Sequence, residues 1–156
     1  MIESSLVNRI QIELLNIKTI VERINMYSQL FDDKSDKVSQ DVLSDGLALN
    51  LHSFYTAVER IFEFIAKTID GDLPTGDKWH KILLEQMLVD VPQVRPAVIT
   101  DRTLKELDEF RRFRHVIRSV YAYELKSEKL LILADKVPRL YSELRIEIED
   151  FMEKSN

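Results

Sequence analysis

Arg111, Arg112, Arg114, His115 and Arg118 place four guanidinium groups and an imidazole within eight residues of a chain whose formal net charge is −5. Histidine titrates near neutrality and can accept or deliver a proton. Arginine stays charged and grips phosphate oxygens through a planar fork of donors. Together these groups can cleave RNA without a metal. The 2′-hydroxyl attacks the neighbouring phosphorus, one group takes its proton, another protonates the leaving oxygen, and fixed positive charge meets the phosphorane-like transition state. One histidine per chain is too few for such a two-group mechanism, but a twofold dimer would bring a second into the same cleft. The competing reading is a solvated helix face, or bridges to some of the 27 Asp and Glu residues, because charged stripes on helices ordinarily face solvent.

The same segment carries an apolar stripe. Each helical residue advances about 100° around the axis. Phe110, Phe113, Ile117 and Val120 therefore share one side. Tyr121, Arg114, Arg118, Arg111 and His115 follow in that order on the other. Arg112 lies away from this group. A helix that packs along one face and presents cations on the next fits an RNA phosphate or a nucleotide.

The surrounding elements are helical. Leu6, Ile10, Leu14, Ile17 and Ile24 recur at helical steps in a first helix from about Ser5 to Leu30. A polar break at Asp32–Lys37 follows. A second helix is predicted from about Ser39 to Ile69, with Leu47, Leu51, Phe54, Val58, Ile61, Phe62 and Ile65 on one side, stopped by the turn-forming run Asp70–Gly76. His52, Tyr55 and Glu59 form a narrow strip beside that apolar face. If the strip faces the basic helix, Glu59 can pair with an arginine, while His52 and Tyr55 line the cleft; the competing reading is a buried polar cluster that fixes helix packing. A short helix capped by Asp77 should run to about Val89, with Trp79 as a core or interface anchor and His80 as a surface or capping group, the alternative for His80 being a place in the dimer cleft. Two prolines make Val91–Ala97 extended. Thr100 or Asp101 caps the basic helix, which should reach about Leu125. Ser127 caps a last helix to about Glu153, broken or kinked at Pro138. Strand-like alternation is nearly absent. The expected fold is all-α: one domain over residues 1–156, an antiparallel bundle of four long helices and one short one.

Composition narrows the function. Three Gly in the whole chain cannot build a glycine-rich phosphate loop. The absence of Cys removes disulfides, thiolate metal sites and thiol nucleophiles, and suits a reducing cytoplasm. The three His are not at metal-binding spacing, so no metal and no cofactor is expected. No apolar run approaches the ~18 residues of a membrane span. The first residues lack the basic flank of a secretory leader. With net negative charge, any attraction to RNA must be local.

The ordered set Leu51-His52-Ser53-Phe54-Tyr55 with Glu59-Arg60, Leu73-Pro74, Trp79-His80-Lys81, Leu83-Leu84-Glu85-Gln86-Met87, Arg95-Pro96-Ala97-Val98-Ile99 and Phe113-Arg114-His115 with Arg118 and Tyr121 resembles the HepT-like branch of the HEPN superfamily from about Asn50 onward. The resemblance implies a homodimeric helical bundle. It also implies the toxin of a toxin–antitoxin pair, acting as a metal-independent endoribonuclease and held inactive by a small MNT-type nucleotidyltransferase that adds AMP to a tyrosine. His115 matches the motif histidine. The superfamily motif sets four to six residues between Arg and His, whereas Arg111 stands four before His115 and Phe110 five before it. The motif tyrosine, two after the His, is Ile117 here. Arg111, Arg114 and Arg118 are the catalytic candidates beside His115; Arg112, His52 and Tyr55 are assigned to substrate binding, and Tyr121 to modification. The alternative function is a non-catalytic helical adaptor that binds a nucleotidyltransferase or a nucleotide.

Overall fold

The computed structural model describes residues 2–34 and 36–156. Five α-helices account for most of the chain: α1 Ser4–Asp33, α2 Lys37–Ile65, α3 Trp79–Gln86, α4 Asp101–Ser119 and α5 Ser127–Lys154. A π turn, Ala66–Asp70, extends α2, and a 3-10 turn, Ala122–Glu124, joins α4 to α5. No strand occurs among the described residues; Val91 and Arg95 form an isolated bridge. Among the same residues no helix is long and apolar enough to cross a membrane.

The central element is α2, which packs on all four other helices. Its predicted apolar side is buried throughout: Leu47, Leu51, Phe54, Val58, Ile61, Phe62 and Ile65 are all in the core. Phe110 and Phe113 of α4 are buried against it, with the Phe54 and Phe110 rings edge to face at 5.4 Å. Burying these two phenylalanines fixes the rotation of α4 about its axis. Ile117 is only half-buried and packs at the margin of the core. The face carrying the cations is thereby turned toward α3.

Several boundaries differ from the sequence expectation. The break at Asp32–Lys37 falls between α1 and α2, with Ser35 outside the described residues; the Asp36 carboxylate accepts from the Ser39 amide at 2.9 Å and caps α2. Gly71, at φ 69°, closes the π turn in the left-handed conformation. Asp77 does not cap α3, whose first turn has no side-chain cap and whose helix ends at Gln86 rather than Val89. Thr100 does cap α4, accepting from the Thr103 amide at 3.3 Å. That helix ends at Ser119, six residues short of the expected Leu125, where Val120 turns to extended geometry. Ser127 is the first residue of α5 rather than its cap. The helix continues through Pro138, because Leu133, Val137, Leu140 and Leu144 on either side are buried and offset the lost backbone hydrogen bond. The 91–97 span is a tight turn rather than an extended run. Val91 and Arg95, each preceding a proline, are the two residues that bridge, at 2.9 and 3.0 Å.

Candidate functional site

An open hollow of about 320 Å³ lies between α4 and the start of α3. From α4 come Arg111, Arg114, His115 and Arg118; from the approach to α3 and its first turn come Asp77, Lys78, His80 and Lys81. Five cations thus face one carboxylate in the lining, in a chain that is negative overall. Two imidazoles share the same hollow.

Beneath it lies Glu59 of α2, buried among core residues. One carboxylate oxygen is 2.7 Å from His80 Nδ1 and the other 3.2 Å from Arg114 Nη1. Two acceptors do not approach to 2.7 Å without a proton between them, so His80 carries its hydrogen on Nδ1 and donates it to Glu59. Arg114 Nη1 is 2.9 Å from Nδ1 and 3.3 Å from Nε2. These near-equal separations put the guanidinium over the imidazole ring, not in line with either lone pair. Trp79 stacks on the same imidazole with ring centroids 3.7 Å apart. His80 is therefore held on several sides.

The sequence-predicted residues separate into groups. His115 and Arg118 are exposed in the hollow, and neither pairs with a carboxylate among the described residues. Arg114 lines the hollow but is only 15% exposed and tied to Glu59, with its Nε buried and unpartnered. Arg111 also lines it, with Nε held 2.7 Å from Asp108 Oδ1. Arg112 lies outside, paired with Asp108 on the exposed side of α4, so it is not part of this constellation.

Four placements differ from the sequence expectation. Tyr55 is fully buried and cannot touch a substrate; burial, and then the Glu59 charge, push its phenol well above the ordinary range. His52 faces a second hollow between α1 and α2, with Asn16 and Thr56, rather than the basic one. Tyr121 lies beyond the end of α4, so its expected place on the helix wheel beside Arg114 and Arg118 does not exist. It is 70% exposed and stacks against Tyr123 at 5.8 Å. His80, read from the sequence as a surface or capping group, is instead bonded to Glu59 at the centre of the site. The expected pairing of Glu59 with an arginine is present.

Two outcomes follow. Glu59→Ala strands Arg114 beside a partly buried imidazole and should cost about 3 kcal/mol, the lower end for a broken buried pair because Arg114 can turn toward the hollow. Chemical denaturation measures it, and Arg114→Met in the same chain should recover part of the loss. His52 has its pKa lowered from the ordinary 6.5 by burial, then by the Arg114 and Arg118 charges. In the window below that value the folded chain binds fewer protons there than the unfolded chain, so this stability contribution falls as pH drops. Melting temperatures at pH 7 and pH 5.5 should therefore differ less in His52→Gln than in the parent.

No group of three His, Cys, Asp or Glu side chains suited to a metal ion occurs among the described residues. No curated protein and no solved structure matches the chain. A family model described as HepT-like protein matches residues 46–155, the stretch that holds α3, α4, α5 and Glu59, and the chain belongs to this HepT-like family.

Proposed function

We propose that the chain is the toxin half of a HEPN/MNT-type toxin–antitoxin pair, a metal-independent endoribonuclease that works as a homodimer. The observation that carries this reading is the hollow itself: five cations and two imidazoles converge in a chain of opposite net charge. Arg118 and Lys78 supply unpaired positive charge for RNA phosphates, and Lys81, 4.0 Å from Glu85, adds to it. Arg111 and Arg114 are held by carboxylates and present fixed guanidinium edges, which favours charge that develops in a transition state over loose binding. His115, exposed and unpaired, moves a proton. Inhibition by an MNT-type nucleotidyltransferase fits Tyr121, an exposed phenol three residues beyond Arg118. AMP there would add a phosphate's negative charge near the path of the RNA backbone. Mass spectrometry after incubation with the partner and ATP should find the adduct on the peptide containing Tyr121, and not in Tyr121→Phe.

The deciding experiment incubates RNA with the chain in EDTA and compares it with His115→Ala. Cleavage that survives chelation and is lost in the variant supports the nuclease. No cleavage by either, with partner binding intact, supports the helical adaptor instead.

A further inference from the structure

We propose that His80 is the second proton-transfer group of this site, acting as general base within the same chain as His115 and oriented by Glu59. The proposal rests on the nuclease reading above and adds a residue and a stoichiometry to it. Glu59 fixes the Nδ1–H tautomer at 2.7 Å, which leaves the Nε2 lone pair as the ring's only acceptor. A base whose far nitrogen is held by a buried carboxylate is the arrangement that orients an imidazole for proton abstraction. His115 has no such partner. The two imidazoles line one hollow, so they differ in environment while sharing a substrate-sized space.

Glu59 of α2 and Arg114 of α4 lie against the His80 ring, and Lys81 of α3 lines the same hollow. As the 2′-oxygen–phosphorus bond forms, the 2′-hydroxyl proton passes to His80 Nε2. The bond from phosphorus to the 5′-oxygen breaks, its electron pair stays on that oxygen, and a proton from His115 neutralises it. The products are a 2′,3′-cyclic phosphate and a 5′-hydroxyl. No further reactant is consumed, and solvent returns both histidines to their starting states. One protomer therefore contains both proton-transfer groups, and a dimer is not needed to bring two imidazoles together.

The test uses the full chain on a short RNA in EDTA. His80→Ala should lower kcat by about 10²–10⁴-fold and abolish the limb of the pH–rate profile that rises with pH. An RNA with sulfur in place of the scissile 5′-oxygen needs no acid, so it should restore cleavage by His115→Ala and not by His80→Ala. Co-expressing the two variants should restore nothing, while wild type co-expressed with the double variant keeps activity. If His80→Ala does not fold, His80→Gln, which can still donate to Glu59, carries the same measurements. An unchanged rate and profile in the His80 variant would leave the nuclease reading intact and overturn this one. Recovery on mixing the single variants would show the imidazoles acting across an interface, which also overturns it. No cleavage by the wild-type chain would remove both readings together.

Discussion

Arg95→Ala is expected to lower the free energy of unfolding by about 3–5 kcal/mol, the loss that follows when one partner of a buried ion pair is removed. The Arg95 side chain is fully buried, and all of its donor nitrogens are engaged. Nε and Nη2 bind the two Asp70 oxygens at 2.6 and 2.8 Å; Nη2 also reaches the Gln86 carbonyl at 3.1 Å. Nη1 donates to the carbonyls of Val89 and Pro96, both at 3.0 Å. One guanidinium thereby ties together the π turn after α2, the end of α3 and the 91–97 turn. Alanine would leave Asp70 Oδ1 and the carbonyls of Val89 and Pro96 without a donor, while Asp70 Oδ2 keeps the Gln86 side-chain amide at 2.7 Å and the Gln86 carbonyl keeps the Val89 amide at 3.3 Å. Lysine does not substitute, because a single ammonium cannot supply a planar fork to two sides at once. The double replacement Arg95→Met with Asp70→Leu should recover only part of the loss, since each orphaned carbonyl still costs about 1–3 kcal/mol. Urea denaturation measures these differences, and an unchanged m-value would show that the same fold is being compared. A loss below about 1 kcal/mol in Arg95→Ala would mean that the turn refolds around the gap and the clamp is not structural. Because α3 carries His80, hydrogen exchange should also show α3 opening in the variant before α2 does.

How much of this was readable from the sequence depended on whether the cause was local. The apolar spacing of α2 is a local signal, and each of its predicted core residues is buried. The rotation of α4 was legible for the same reason: Phe110 and Phe113 point inward, which sends Arg111, Arg114, His115 and Arg118 to one hollow. The clamps were not legible. Glu59 is 21 residues from His80 and Arg95 is 25 from Asp70, and no spacing rule links such pairs before the helices are packed. Tyr55 sat at the edge of an apolar face, where a phenol can belong to either the core or the cleft; packing against α4 put it in the core. Tyr121 was misplaced because no Gly or Pro lies between Ser119 and Ser127 to mark the end of α4. The helix ends there with only an extended Val120. Asp77 and Ser127 are the residue types that cap helices, but neither makes a side-chain cap to its helix.

His115→Ala should reduce kcat for RNA cleavage by about 10²–10⁴-fold, the usual worth of a positioned acid or base, which is about 3–5 kcal/mol in the barrier at 1.36 kcal/mol per decade. The expectation is specific because His115 is exposed and unpaired. Its removal should change stability by no more than about 0.5 kcal/mol, so a loss of this size cannot come from unfolding. On the nuclease reading KM should change little, since Arg118, Lys78 and Lys81 still line the hollow and would supply the charge that gathers RNA there. Arg118→Ala should do the reverse: it should raise KM and reduce the dependence of binding on salt, by about 0.7 in the log–log slope for a single strand. The two variants together separate attraction from chemistry. A His115 variant that raised KM with kcat intact would be a phosphate contact and nothing more. An Arg118 variant that lowered kcat alone would put its guanidinium at the transition state. With the chain at net −5, the five cations of the hollow stand against an opposing overall charge, so on the nuclease reading a single cation lost from it should be measurable.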